Sequence, residues 1–274
     1  MHIKTVPART GFQWLKLGFQ TFWRQPLAWC LLLIPPLVGS MLTAFVPLVG
    51  LALDLASQPL LLLLMMVAAA QVATGHRLRP ASLLAALGGE RRRFHAMLAL
   101  CALYAMSVLC LLTLQTLIAG DDLARVVLGL DPMNRELARF LKFDTPMHRS
   151  MAWVSLVTLF FWFTPGLVHW HGIAPLKALF LSAAACLRNW RALLILLLSW
   201  FGICTAVMWG MHLLCVLIAG QHGPDTTLSQ VLIFAVVWVL MAPLSASVVF
   251  SFRDCFPAPD TDLQASASAG LNPA

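Results

Sequence analysis

From Phe19 to Leu37 the chain reads FQTFWRQPLAWCLLLIPPL, passing within a few residues from aromatic and cationic to almost purely aliphatic. The same change recurs far downstream in LKALFLSAAACLRNWRALLILLL, residues 176 to 198. Each stretch holds a helix-forming run, an arginine (Arg24, Arg188), an amide beside it (Gln25, Asn189) and then a long apolar segment. About 20 apolar residues let an α-helix cross a hydrocarbon core roughly 30 Å thick. A cation at the start of such a run sits at headgroup level and sets the direction of crossing. Both stretches therefore read as the start of a membrane span.

Composition extends that reading to the whole chain. Of 274 residues, 60% are hydrophobic and 11% charged, with a mean hydropathy of +0.84. Soluble domains carry roughly 25% charged residues, so the expected fold is an all-α polytopic membrane protein. The alternating ten-residue segments of a membrane barrel are missing from the sequence. The net charge of +7 does not imply nucleic acid, because the bases flank apolar segments and form no single patch. The seven cysteines show no CxxC and no clustered spacing, so neither a disulfide framework nor a metal site is expected. They read as small apolar packers. The apolar run starts near Leu27 and is too long for a cleavable signal, which makes the amino terminus a retained segment.

Thr10 and Gln13 fit a capping box opening a helix at Gly11. On a 3.6-residue period Phe12, Leu15, Phe19, Phe22 and Trp23 share one face, and Gln13, Lys16, Gln20 and Arg24 another. That pattern suits a helix lying in the membrane interface; packing on other helices of the protein is the alternative. Six spans are expected: 27–45, kinked at Pro35-Pro36; 50–74, interrupted at Pro59; 95–118; 151–170, with Pro165-Gly166 near its end; 191–220; and 230–250, carrying Pro243. A short helix is expected from Pro80. Asp131 and Pro132 open a second surface helix to about Lys142. The small, polar, proline-containing residues 257–274 are expected to be disordered.

Surface helix plus two-span hairpin recurs over 10–74, 80–170 and 174–252, within one membrane domain covering 1–256. Arg24, Arg93 and Arg188 mark the three starts. The third copy has SAAAC where the first has aromatics, so it is either a separate helix or an extension of the fifth span. The whole pattern is either a true repeat or chance similarity of membrane-crossing starts. Charge sets the expected orientation. Lys4, Arg9, Lys16, Arg24, Arg77, Arg79, Arg91, Arg92, Arg93, Lys177, Arg188, Arg191 and Arg253 fall on one side, thirteen of the eighteen bases. Arg125, Arg135, Arg139, Lys142 and Arg149 fall on the other. Both termini are thus expected to be cytoplasmic.

The stretches VPARTGFQWLKLGFQTFWRQPLAW (6–29), VPLVG (46–50), ACLRNWRALL (185–194) and SASVVFSFRDCF (245–256) resemble a family of uncharacterised multi-pass inner-membrane proteins of Gram-negative bacteria. The resemblance spans roughly residues 6 to 256 and implies an inner-membrane location. It carries over no activity and no site residues. The hairpin pattern is more distantly similar to the membrane domain found beside some glycerophosphodiester phosphodiesterases, though no catalytic domain is expected in residues 1–274. The long polar segment at 120–150 departs from the family pattern.

No metalloprotease, nucleophile-elbow or phosphate-loop motif is present in the sequence. His169 and His171 flank Trp170, but i and i+2 point about 200° apart on a helix, so an interfacial role is favoured over metal binding. Asp54, Gln58, Gln115 and His212 are the polar residues inside apolar spans, all in the outward half. A carboxylate at mid-membrane costs roughly 2.5–3.5 kcal/mol on insertion scales and usually faces a partner or a wet cavity. Asp54, Gln115 and His212 share a similar depth and are expected to meet behind the helix at 132–142, as a polar site for ions or substrate. Local capping or solvation is the plainer reading. Lys16, Trp23, Arg24, Arg93, Arg188 and Trp190 are the expected interface anchors. The leading functional reading is a non-enzymatic module organising membrane lipids or a protein partner, a second copy included, with no cofactor. A small transporter or channel is the alternative, and an intramembrane enzyme is third.

Overall fold

In a computed structural model the described residues are 3–43, 45–46, 49–78, 83, 91–119, 145–220 and 227–257. The expected helices at 80–88 and 131–142 and the tail beyond 257 lie outside them. Among the described residues the chain is all-α. Its helices are α1 (Thr10–Arg24), α2 (Pro26–Thr43), α3 (Val49–Ala73), α4 (Arg91–Ala119), α5 (Thr145–Phe160), α6 (Thr164–His171), α7 (Pro175–Arg188), α8 (Trp190–Ala219) and α9 (Thr227–Cys255). Six segments are long and apolar enough to span a membrane: α2, α3, α4, residues 153–171 of α5 and α6, α8 and α9. The alternation of six spans puts the ends of α1, α3, α6, α7 and α9 and the starts of α2, α4 and α8 together. That end carries Arg24, Arg93 and Arg188 and is called the basic end below.

Several local expectations change. The capping box does not form: Thr10 is already helical, and Arg9 precedes it without a side-chain cap. Helix α2 runs unbroken through Pro35 and Pro36, and α3 through Pro59. Proline removes a donor and frees a carbonyl one turn back, and neighbouring helices satisfy backbone groups in a span. Two indole donors bond carbonyls near prolines: Trp238 Nε1 donates to that of Leu33 (3.3 Å), near Pro35 and Pro36, and Trp200 Nε1 to that of Leu240 (3.3 Å), near Pro243.

The fourth span is the one that breaks, at Phe161 to Phe163, just ahead of Pro165. Helix α7 repairs the break. Buried Ser182 accepts the freed Phe163 N–H (3.0 Å), and Cys186, one turn on, donates its thiol to the Leu159 carbonyl (3.3 Å). The small residues of SAAAC thus have a physical reason: Ala178, Ser182, Ala185 and Cys186 form the buried face that lets α7 approach a bare backbone. A turn at Asn189 makes α7 separate from the fifth span.

Helix α1 does not lie open on the membrane. It wedges between the basic ends of α8 and α9, its largest interfaces. Its buried stripe is Gly11, Trp14, Leu15, Gly18, Thr21 and Phe22, while Phe12 and Trp23 are exposed at 56% and 70%. Of the expected polar face, Gln13, Lys16 and Gln20 do point outward, and exposed Arg24 turns back onto the end of α3. Gly11 and Gly18 make the wedge possible. A Cβ on Gly11 would strike the Ala192 carbonyl, and one on Gly18 the Pro243 carbonyl.

Among the described residues the core is concentrated at the basic end. It takes Leu63 to Val72 from α3, Met97 to Val108 from α4, Ala192 to Leu196 from α8, and Ala242 to Cys255 from α9 with Phe256 just beyond it. Toward the opposite end α2 and α8 leave large apolar side chains uncovered, among them Met41, Leu42, Trp209, Leu213 and Leu217.

Candidate functional site

The expected intramembrane site can be traced residue by residue. Asp54 sits one turn into α3, after a turn in which the Gly50 N–H donates to the Val46 carbonyl (2.7 Å). It is half-buried, and its carboxylate accepts the Ser40 hydroxyl of α2 (2.5 Å). Ser40's carbonyl in turn accepts the Thr43 hydroxyl (3.0 Å), and the Ser57 hydroxyl donates to the Asp54 carbonyl (2.7 Å). This short chain pins the α2–α3 hairpin near its turn. Gln58, one turn further on, is exposed.

Gln115 lies near the far end of α4, partly buried, with both amide atoms enclosed and without a hydrogen-bond partner among the described residues. His212 is exposed on α8 and meets Trp209 of its own helix edge-on, ring centroids 6.1 Å apart. No hydrogen bond joins the four among the described residues. Asp54 bonds Ser40, not His212, and α8 packs against α1, α9 and α7. Similar depth did not give proximity, because depth says nothing about which way around the bundle a helix faces.

The expected anchors divide into two groups. Lys16, Trp23 and Trp190 point outward, with the Arg191 guanidinium 5.4 Å from the centroid of the Trp190 ring. Arg24 and Arg188 instead bond within the protein. Arg24 donates to the Val72 and Ala73 carbonyls (3.1 and 3.2 Å), where α3 ends and its dipole favours a cation. Arg188 Nε donates to the Thr5 hydroxyl (2.7 Å). Arg93 Nε lies 4.0 Å from where a Cβ on Gly172 would stand.

Polar groups that sequence reasoning missed gather at the basic end. Asn189 is 2% exposed, and its amide holds Lys4, Val6, Ala185 and Cys255. Trp14 is fully buried, yet its indole N–H reaches the Asp254 carboxylate (2.7 Å). The Lys4 N–H donates to the Cys255 carbonyl (3.0 Å), fastening one end of the chain to the other. The available signal was the amide after each arginine, at positions 25 and 189. The Cys186 thiol is pushed up to about 12, chiefly by burial and then by Cys255, so it is inert as a nucleophile. His169 meets Trp170 (5.6 Å) and His171 meets Phe252 (5.8 Å), so the two rings have different neighbours.

The chain is 29% identical to a probable inner membrane protein of Burkholderia thailandensis over 262 residues, covering 93% of this chain and 94% of that one. Neither a family model nor a solved structure matches it. The similarity and the six membrane-capable segments agree on a multi-pass inner-membrane protein.

Proposed function

We propose that the protein is a non-enzymatic inner-membrane module that organises lipid or a partner protein, with both termini in the cytoplasm. The observation that carries the reading is the uneven covering of the spans. Only 11% of α2 and 17% of the α8 span are buried, against 44% of the fourth span. Two of the six spans thus have few fully buried residues, which leaves apolar surface for lipid or for another chain. The outward Lys16, Trp23 and Trp190 set a cationic and aromatic rim beside that surface, as membrane-interface residues do.

The transporter alternative depended on Asp54 and His212 meeting, and Asp54 is engaged with Ser40. Native mass spectrometry of the protein released from mild detergent should find retained lipid or a partner chain. Proteoliposomes should show no proton or solute flux above empty vesicles. A flux abolished by Asp54→Asn would overturn the proposal. The orientation rests on the thirteen-to-five split of bases. Phosphatase fused after Ala274 should be inactive and fused at Asp131 active; the reverse would sink the topology.

A further inference from the structure

Two polar contacts at the basic end have the same chemistry. Gln25 follows Arg24 where α1 gives way to α2. Its Oε1 accepts the Leu78 N–H (3.0 Å) and its Nε2 donates to the His76 carbonyl (2.9 Å). Asn189 follows Arg188 where α7 gives way to α8. Its Oδ1 accepts the Val6 N–H (2.8 Å) and its Nδ2 donates to the Lys4 carbonyl (3.1 Å). In each case one carboxamide takes the carbonyl of residue k and the N–H of residue k+2 of a non-helical segment. A residue in a parallel β-ladder bonds its neighbour in the same way, and a side-chain amide carries the needed donor and acceptor. The clamped segments also occupy matching places. Lys4 to Val6 precedes Pro7 and α1; His76 to Leu78 precedes Arg79 and Pro80.

The third such segment, Gly172 to Ala174 ahead of Pro175, follows α6 directly and is held differently. Gly172 takes the left-handed conformation (φ +61°), its N–H donates to Val168, and that of Ile173 donates to Leu167. Backbone groups capped by their own helix need no amide, and Phe94 stands after Arg93 where the other junctions have one. Arg93 lies beside this segment, its Nε 4.0 Å from where a Cβ on Gly172 would stand. The order is cyclic: the first junction holds the second segment, the second junction meets the third, and the third junction holds the first. The helices follow the same order. Helix α1 packs on α8 and α9, and α7 packs on α4, α5 and α6. Gly166 of α6 lies against Met66 of α3 and Phe252 of α9, so the second spans of all three units meet there.

We infer that three repeated units close into a ring at the basic end, and that residues 4–6 are its fastening strap, held by the carboxamide of Asn189. Closure between the last unit and the first has no covalent link, so it depends on this clamp and on the seat of α1. The strap covers Cys255, whose carbonyl it bonds, and Cys255 and Cys186 flank the clamp while both are buried.

The test uses the full-length protein in detergent, with maleimide labelling of Cys186 and Cys255 read by mass spectrometry. Asn189→Ala should raise labelling of Cys255 at least tenfold. Deleting residues 2–6 should do the same, and combining the two should add little, since both open one latch. Gln25→Ala should leave Cys255 protected, because it opens a different joint. Asn189→Asp, which keeps the acceptor for Val6 and loses the donor to Lys4, should give an intermediate rate and guards against outright misfolding of the alanine variant. Additive effects, or a Cys255 that stays protected in Asn189→Ala, would show that the strap is not the fastener.

Discussion

The two ends of this bundle are built on different principles. At the basic end α1 is wedged against bare backbone, α7 mends a broken span, and buried amides and hydroxyls hold segments distant in sequence. At the opposite end Asp54 ties a hairpin to itself, and α8 exposes Trp209, Leu213 and Leu217. The first end is organised by close approach and hydrogen bonding, whereas the second is organised by what surrounds it. Between apolar helices in lipid there is little hydrophobic force to bring them together, so association relies on small residues and polar contacts. Among the described residues those contacts are concentrated at the basic end.

Glycine substitutions should separate the two ends most sharply. Gly18→Leu drives a side chain into the Pro243 carbonyl, and Gly11→Leu into that of Ala192. Overpacking typically costs 1–3 kcal/mol where side chains can yield, and backbone yields less, so about 3 kcal/mol or more and loss of a monodisperse peak on gel filtration are expected. Gly202→Leu and Gly210→Leu, with nothing within 4 Å of the new Cβ, should stay within about 0.5 kcal/mol. Equal damage at both ends would end the comparison.

Cys186 offers a chemical contrast next. With its thiol pushed up to about 12, it stays protonated at pH 8, where an ordinary thiol near 8.5 is about a quarter ionised. A variant keeping Cys186 alone should label roughly a thousandfold more slowly than its denatured form. Because the neutral form is the one favoured, its rate should climb about tenfold per pH unit from 8 to 10. A flat profile would show that access, not ionisation, limits the reaction.

Ser182→Ala should come third. It leaves the buried Phe163 N–H without its acceptor, a loss of about 1–3 kcal/mol, measurable as a lower thermal midpoint in detergent. Ser182→Thr, which restores a hydroxyl, should recover part of that loss. Smallest is Asp54→Asn, whose carboxamide oxygen still accepts the Ser40 hydroxyl. Its effect should be below about 0.5 kcal/mol, since hydrogen bonds between helices in a membrane average about 0.6 kcal/mol. A large effect would mean that the opposite end carries a polar function after all.

Six spans, their approximate limits and the thirteen-to-five distribution of bases followed from the sequence, because hydropathy and charge are sums over neighbours along the chain. The amphipathic pattern of α1 was also legible, and so was the recurrence of an amide after an arginine. What the pattern left open was the partner of each face. Phe12 and Trp23 share a stripe with Leu15 and Phe22 by period, yet only the latter pair is buried. The deciding feature was the absence of a side chain at Gly11 and Gly18, which hydropathy scarcely registers. The break at Phe161 to Phe163 likewise depends on Ser182, 19 residues away, offering an acceptor. Asp54 and His212 shared a depth by sequence and lie on helices that do not pack together. Depth in a membrane is set by position along one helix, whereas azimuth is set by packing among several, and only the tertiary structure determines that.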